Sequence, residues 1–283
     1  MRYTDKFMVA FLNDHLKLSS DTLNNSGLQS MVNEDNQLVS PLQNRIYSWF
    51  SALASEDFVL MEDLLTHGLP VDVPHPLRHT TALMEATRLG RTALVQWLLT
   101  RGAAPAFLCG LPKGTPLHCA LRQHQWDVAQ LLLEHVPCAS ITDAHQRTPL
   151  HVMAMDMPED EPKHAEGLFM VIALLDRGCA LDALDDEGIT ALHYAVINDD
   201  QLLARVLLGA GASADVCTPD RGVTPLMIAA IEKNTAMANL LIAYGADPYL
   251  QNSDGTCPAD VMPALKRIAA RMQERSGDIR AAN

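Results

Sequence analysis

The sequence predicts an all-α solenoid, in which helix–turn–helix units stack side by side and β-turn or hairpin loops project from one edge. Two repeated phrases and the composition carry that prediction. Thr115-Pro116-Leu117-His118 returns as Thr148-Pro149-Leu150-His151 and Thr190-Ala191-Leu192-His193, with degenerate copies at Thr81-Ala82-Leu83-Met84 and Thr224-Pro225-Leu226-Met227. A second phrase closes the units, as in Leu98-Leu99-Thr100-Arg101-Gly102, Leu174-Leu175-Asp176-Arg177-Gly178 and Leu207-Leu208-Gly209-Ala210-Gly211. Aligning the apolar column through Trp49, Leu83, Leu117, Leu150, Leu192, Leu226 and Ala259 gives steps of 34, 34, 33, 42, 34 and 33 residues. Apolar residues make up 48% of the 283-residue chain but aromatics only 5%, a balance that suits small packed helices better than a sandwich or barrel.

Each element follows in order. Residues 1–43 form an extension: Met8, Leu12 and Leu16, with Phe11 beside them, predict a short amphipathic helix. The Ser-, Asn-, Asp- and Gln-rich stretch 19–40 predicts a polar linker. Seven units then occupy residues 44–275, the first and last atypical, and residues 276–283 form a tail. Within a unit, Thr caps the first helix by accepting an orphan backbone N–H, and Pro suits its first turn. Leu117 and Ala120, three apart, place apolar groups on one face, as do Val128, Leu131 and Leu132 on the second helix. Gly102, Gly178, Gly211 and Gly245 follow the last turn, where a left-handed backbone costs Gly little. Segments such as Asp185-Asp186-Glu187-Gly188 make the tight turn to the next unit. One helix pair cannot bury its own apolar face, so neighbours must stack.

These phrases and their period resemble the ankyrin repeat, a unit of about 33 residues with T-P-L-H and L-L-x-x-G-A signatures. The resemblance covers residues 44–275 and implies an ankyrin-repeat solenoid. The chain departs from the family pattern in two places. The unit between Leu150 and Leu192 is eight or nine residues too long, with the excess around the acidic, proline-containing stretch 156–164. Two prolines and four acids there predict a protruding loop between the two helices. The third repeat ends Glu134-His135-Val136-Pro137-Cys138 in place of Gly-Ala, which predicts a reshaped helix terminus. Val261 to Arg275 is expected to be a capping helix with Lys266, Arg267, Arg271 and Arg275 in solvent.

The formal charge of −13, with no long Lys/Arg run, disfavours nucleic-acid binding, which needs clustered cations. No stretch of 18 apolar residues exists, so membrane insertion is not expected. Cys109, Cys119, Cys138, Cys179, Cys217 and Cys257 lack CxxC spacing, and dispersed thiols in a chain with a sizeable core read as reduced. A cytoplasmic location is expected, with signal-less delivery to another compartment or host cell as the alternative.

Nothing in the sequence assembles a convincing active site, and no cofactor or metal is expected. His118, His151 and His193 would make a metal row, but the resemblance gives them the family role of hydrogen-bonding neighbouring loop backbone. Cys119 beside His118 lies at a repeat position on a helix, where a buried small thiol outweighs a nucleophile. Asp156, Glu159, Asp160 and Glu161, or Asp182, Asp185 and Asp186, are conceivable calcium ligands but lack the EF-hand pattern with a distant Glu.

The resemblance further implies a concave, partner-binding face built from the turn tips and inner helices. The family's binding positions lie just before T-P-L-H and seven or eight residues after its Thr. In the second to fourth repeats they fall on Arg78, Arg88, Lys113, Arg122, Gln123, His145 and Arg147. In the later repeats they fall on Asp156, Asp186, Glu187, Asn198, Asp220, Arg221, Glu232 and Asp254. A basic-to-acidic gradient along the face is therefore expected. Met155, Ile189, Ile197, Val223 and Ile231 are the candidate apolar centre. The expected function is a non-catalytic module, monomeric in isolation, that captures, scaffolds or inhibits a protein partner. A bacterial effector or immunity-type inhibitor is the narrower alternative, and an enzyme or regulatory subunit with an unrecognised site is the competing class.

Overall fold

The computed structural model describes residues 40–108, 114–136, 141–268 and 270. The expected N-terminal helix and linker, Lys113, Cys109, Cys138, the remainder of the third repeat's reshaped terminus, and the C-terminal tail lie outside the described residues. The chain divides into two compact units, Met1–Leu132 and Leu133–Asn283.

In the first unit the helices are α1 (Ser40–Ser55), α2 (Phe58–Thr66), α3 (Ala82–Arg88), α4 (Thr92–Thr100), α5 (Pro116–Arg122) and α6 (Trp126–Leu133), the last ending at the boundary between the units. Inner helices α1, α3 and α5 bury Trp49, Leu83 and Leu117 completely, so the aligned apolar column is the core. Thr81 accepts from the Met84 N–H and caps α3 as its position predicts. Arg91 donates to the carbonyls of Leu53 and Ala54, stitching one pair to the next.

In the second unit the helices are α7 (Pro149–Met155), α8 (Glu161–Asp176), α9 (Ala191–Ile197), α10 (Gln201–Gly209), α11 (Pro225–Ile231), α12 (Thr235–Ala243) and α13 (Pro258–Val261). Thr190 and Thr224 cap α9 and α11, while Asp200 and Asn234 cap α10 and α12. The loops before α7, α9 and α13 close on an Asx turn. Asp143 Oδ1 accepts from His145 and Arg147 N–H, Asp185 Oδ1 from Glu187 and Ile189, and Asn252 Oδ1 from Asp254 and Thr256. Asp186 N–H donates to the His145 carbonyl and Ser253 N–H to that of Arg221, so successive tips are hydrogen-bonded across repeats.

Three expectations are corrected. The insert is a loop only in part: residues 156–160 lie outside any helix, whereas residues 161–164 open a 16-residue helix, α8, with Pro162 in its first turn and Glu161 at its positive end. Pro and acids at that position start a helix rather than break one. The capping helix does not begin at Val261. Met262 and Pro263 separate α13 from a helical segment that starts at residue 264. Finally, Cys179 is disulfide-bonded, against the expectation of reduced thiols throughout. Spacing along the chain does not report which sulfurs folding brings together.

Candidate functional site

The second unit carries an open groove of about 610 Å³ between the loop tips and inner helices of two successive repeats. Its floor is Ile189, Val223, Ile197 and Ile228, and its lip includes Asp186, Glu187, Pro219, Asp220 and Arg221. This brings together seven of the residues singled out from the sequence: Asp186, Glu187, Ile189, Ile197, Asp220, Arg221 and Val223. Ile231, one helical turn beyond Ile228, is 56% exposed, and Ile197 is 50% exposed.

Beneath the groove, hydrogen bonds link one repeat to the next. His193 Nδ1 faces the Thr190 N–H at 3.3 Å and its Nε2 faces the Val223 carbonyl at 3.2 Å. His151 repeats the pattern one unit earlier, with Thr148 N–H at 3.0 Å and the Ile189 carbonyl at 2.9 Å. An imidazole that accepts at Nδ1 must donate at Nε2, so both rings are neutral links between repeats. Burial, the largest influence, lowers both pKa values against the pull of the carbonyls and of Asp185. The His row is therefore structural. His118 Nδ1 is likewise engaged, by Thr115 Oγ1 at 2.8 Å.

Asp185, buried behind the lip, accepts from the Tyr194 hydroxyl at 2.8 Å. Burial and that bond push the Tyr194 pKa up to about 12, so the hydroxyl stays a neutral donor. Arg147 Nε lies 3.7 Å from Asp185 Oδ2 with its side chain mostly covered. Of the three carboxylates Asp182, Asp185 and Asp186, Asp185 is spent on this network. Asp182 caps the Ser213 N–H at 2.9 Å, and Asp186 faces His145 Nδ1 at 3.0 Å.

Besides Thr218 and Pro219 at the tip, two inner-helix positions escape the family carry-over: Ile228 on the floor and Tyr194 behind it. Each lies three residues before an expected contact, Ile231 and Ile197, and so shares its helical face. The i, i+3 spacing was the available signal.

The other expected residues are placed elsewhere. Met155, with Asn198, lines a separate cavity of about 580 Å³ whose walls include Met157, Pro158, Glu159 and His164. Asp156 is the C-cap of α7, and Asn198 Nδ2 donates to the Ala154 carbonyl at 2.8 Å. Glu232 and Asp254 are exposed and do not line the groove. In the first unit Arg88 and Arg78 both turn onto the buried carboxylate of Glu85, at 3.0 and 3.4 Å. Burial would raise the Glu85 pKa, but hydrogen bonds from Thr80 and Arg88 and both guanidinium charges outweigh it and hold it low. Arg122 is half-buried at the end of α5, and Gln123 is the exposed C-cap residue after it.

Among the described residues no helix is long and apolar enough to cross a membrane, and no group of three or more His, Cys, Asp or Glu is placed to hold a metal ion. Comparison with known proteins agrees with the architecture. A family model described as ankyrin repeats (3 copies) matches residues 83–160 and 163–252, more than half of the chain. Ankyrin repeat and SOCS box protein 6 of Homo sapiens is 31% identical over 148 residues, covering 50% of this chain and 33% of that protein. Palmitoyltransferase AKR1 of Lachancea kluyveri is 27% identical over 164 residues, covering 56% of this chain and 21% of its own. The chain thus spans a third or less of the length of these relatives, and the match to the second covers repeats rather than a shared reaction. The crystal structure of the ankyrin repeat domain of Bcl-3 superposes with a TM-score of 0.64 at 25% identity, covering 76% of this chain and 92% of that one. The chain belongs to the ankyrin repeat family, and its fold is that of a protein–protein interaction module.

Proposed function

We propose that the protein acts without catalysis, by capturing a protein partner on the inner face of its second unit and so scaffolding or inhibiting it. The observation that carries this reading is the groove itself. Half-exposed isoleucines sit beside a charged lip, over repeats linked by the His151 and His193 hydrogen bonds. Apolar side chains held at the surface by a rigid frame gain free energy only when something covers them. A cluster of this kind, ringed by charge, has the anatomy of an interface centre. His151, His193 and Asp185, which resemble metal-binding groups, are committed to the frame, which supports binding over chemistry.

Affinity capture from the native cell lysate tests the reading. The full chain would be compared with an Asp186→Lys, Glu187→Lys, Ile197→Asp variant shown to fold by circular dichroism. One protein retained by the wild type and lost by the variant is the expected result. Equal retention by both would move the site off this face.

A further inference from the structure

The groove's two surfaces differ in chemistry, and together they specify what fits. Within each inner helix, the fourth and seventh residues after the capping Thr share one helical face. In the first unit they are Glu85 and Arg88, then Cys119 and Arg122. In the second they are Val152 and Met155, Tyr194 and Ile197, and Ile228 and Ile231. An apolar floor is therefore a property of the second unit, and its exposed part is branched aliphatic. The polar backbone of Val223 is already engaged: its carbonyl takes His193 Nε2, and Thr218 Oγ1 takes its N–H. A polar group pressed onto it would lose water without a replacement partner.

The lip is the opposite. Glu187 and Asp220 are exposed, and Asp186 is met on one oxygen by His145. Among the described residues the Glu187 carboxylate has neither a hydrogen-bond nor an ion-pair partner. Arg221 is the one cation lining the groove, and it approaches Asp220 only to 3.9 Å with both side chains in solvent. The next loop adds Asp254, and the end of α11 adds Glu232, both exposed. The lip therefore presents a surplus of negative charge above an apolar trough. Gly188 fixes this edge in place: its φ is +74°, and Pro219 Cδ lies 2.2 Å from where a Cβ would be, so the two tips stack closely and the lip is continuous.

Resting on the protein-capture reading above, we infer that the occupant is a short protein segment with an aliphatic side chain flanked by Lys or Arg. The aliphatic group seats against Ile189, Ile197, Val223 and Ile228, and the cation faces Glu187 and Asp220. A volume of about 610 Å³ falls inside the usual range of ligand clefts, about 300–1,000 Å³. Charge complementarity at such a lip governs association rate and partner choice, so binding is expected to be salt-sensitive.

The test is selection of a displayed random-peptide library on the immobilised full chain, followed by fluorescence anisotropy with a synthetic copy of the winning peptide. The expected winners carry Lys or Arg within two positions of Leu, Ile, Val or Met. Their affinity should fall about tenfold or more in Glu187→Lys/Asp220→Lys, and again on raising salt from about 50 to about 500 mM. It should change less than about twofold in Arg88→Glu, on the first unit. The lip positions are exposed, and Glu187→Gln supplies a milder variant if the charge reversal disturbs folding. Winners that are acidic or charge-indifferent, yet still lost in Ile197→Asp, would overturn this inference and leave the capture site standing. Winners unaffected by any groove variant would overturn both. Self-association of the chain that the lip variant abolishes would make a second copy the occupant and overturn the inference as well.

Discussion

Gly188 meets two demands at one position. Its φ of +74° lies in the left-handed region, and Pro219 Cδ occupies the space a Cβ would take, at 2.2 Å. Gly188→Ala is therefore expected to cost about 2–3 kcal/mol, combining backbone strain with displacement of the neighbouring tip. Gly178→Ala is the matched control, with φ of +77° and nothing within 4 Å of its Cβ, and should cost only the backbone share, about 1 kcal/mol. Urea unfolding checks the pair; equal losses would remove the tip-to-tip contact from the account. The linking histidines make a second prediction. Burial lowers His151 and His193 below the ordinary 6.5, so the unfolded chain binds more protons than the folded one as pH falls through that value. The stability these rings contribute is complete above pH 6.5 and is lost below it, toward their lowered folded values. The thermal midpoint should drop between about pH 7.5 and about pH 5.5, and drop less in a His151→Gln/His193→Gln variant. An unchanged slope in that variant would mean other groups carry the pH dependence.

The helices show where local reading succeeds and where it stops. Thr-Pro-Leu-His marks a helix start through contacts within four residues, so Thr190 and Thr224 are visible as caps in the sequence alone. The first turn of α8 is misread for a related reason. Pro162 and Glu161 read as a break, yet both are favourable at a first turn, and only the apolar run that follows decides between loop and helix. What then holds the extended helix is a long-range contact that spacing does not announce. His164 Nε2 lies 2.8 Å from Asp200 Oδ2, with both side chains largely covered (17% and 11% exposed). Asp200 also caps α10 by accepting from the Leu203 N–H. His164→Ala should therefore lower stability by about 1–2 kcal/mol, measured by denaturant unfolding. A silent substitution would return the stretch to the status of a solvated loop.

For the molecule as a whole, the repeat made the fold legible because each unit restates the same core column. Trp49, Leu83, Leu117, Leu150, Leu192, Leu226 and Ala259 are all buried. The binding face was legible only in part. Family positions lead to Asp186, Glu187, Ile197, Asp220 and Arg221, which converge on one groove. They also lead to Arg88 and Arg147, whose charges turn inward onto Glu85 and toward Asp185. A sequence position names a face, but a side chain's nearest opposite charge decides whether it remains available there. Photo-crosslinking tests the central claim most directly. A benzophenone amino acid would replace Ile197 in the groove or, separately, the exposed Phe169 on outer helix α8, and each chain would be irradiated in its native cells. A discrete adduct from position 197 and none from position 169 is the predicted result. An adduct from position 169 alone, with a folded but unreactive position 197, would contradict the assignment of the groove as the site of capture.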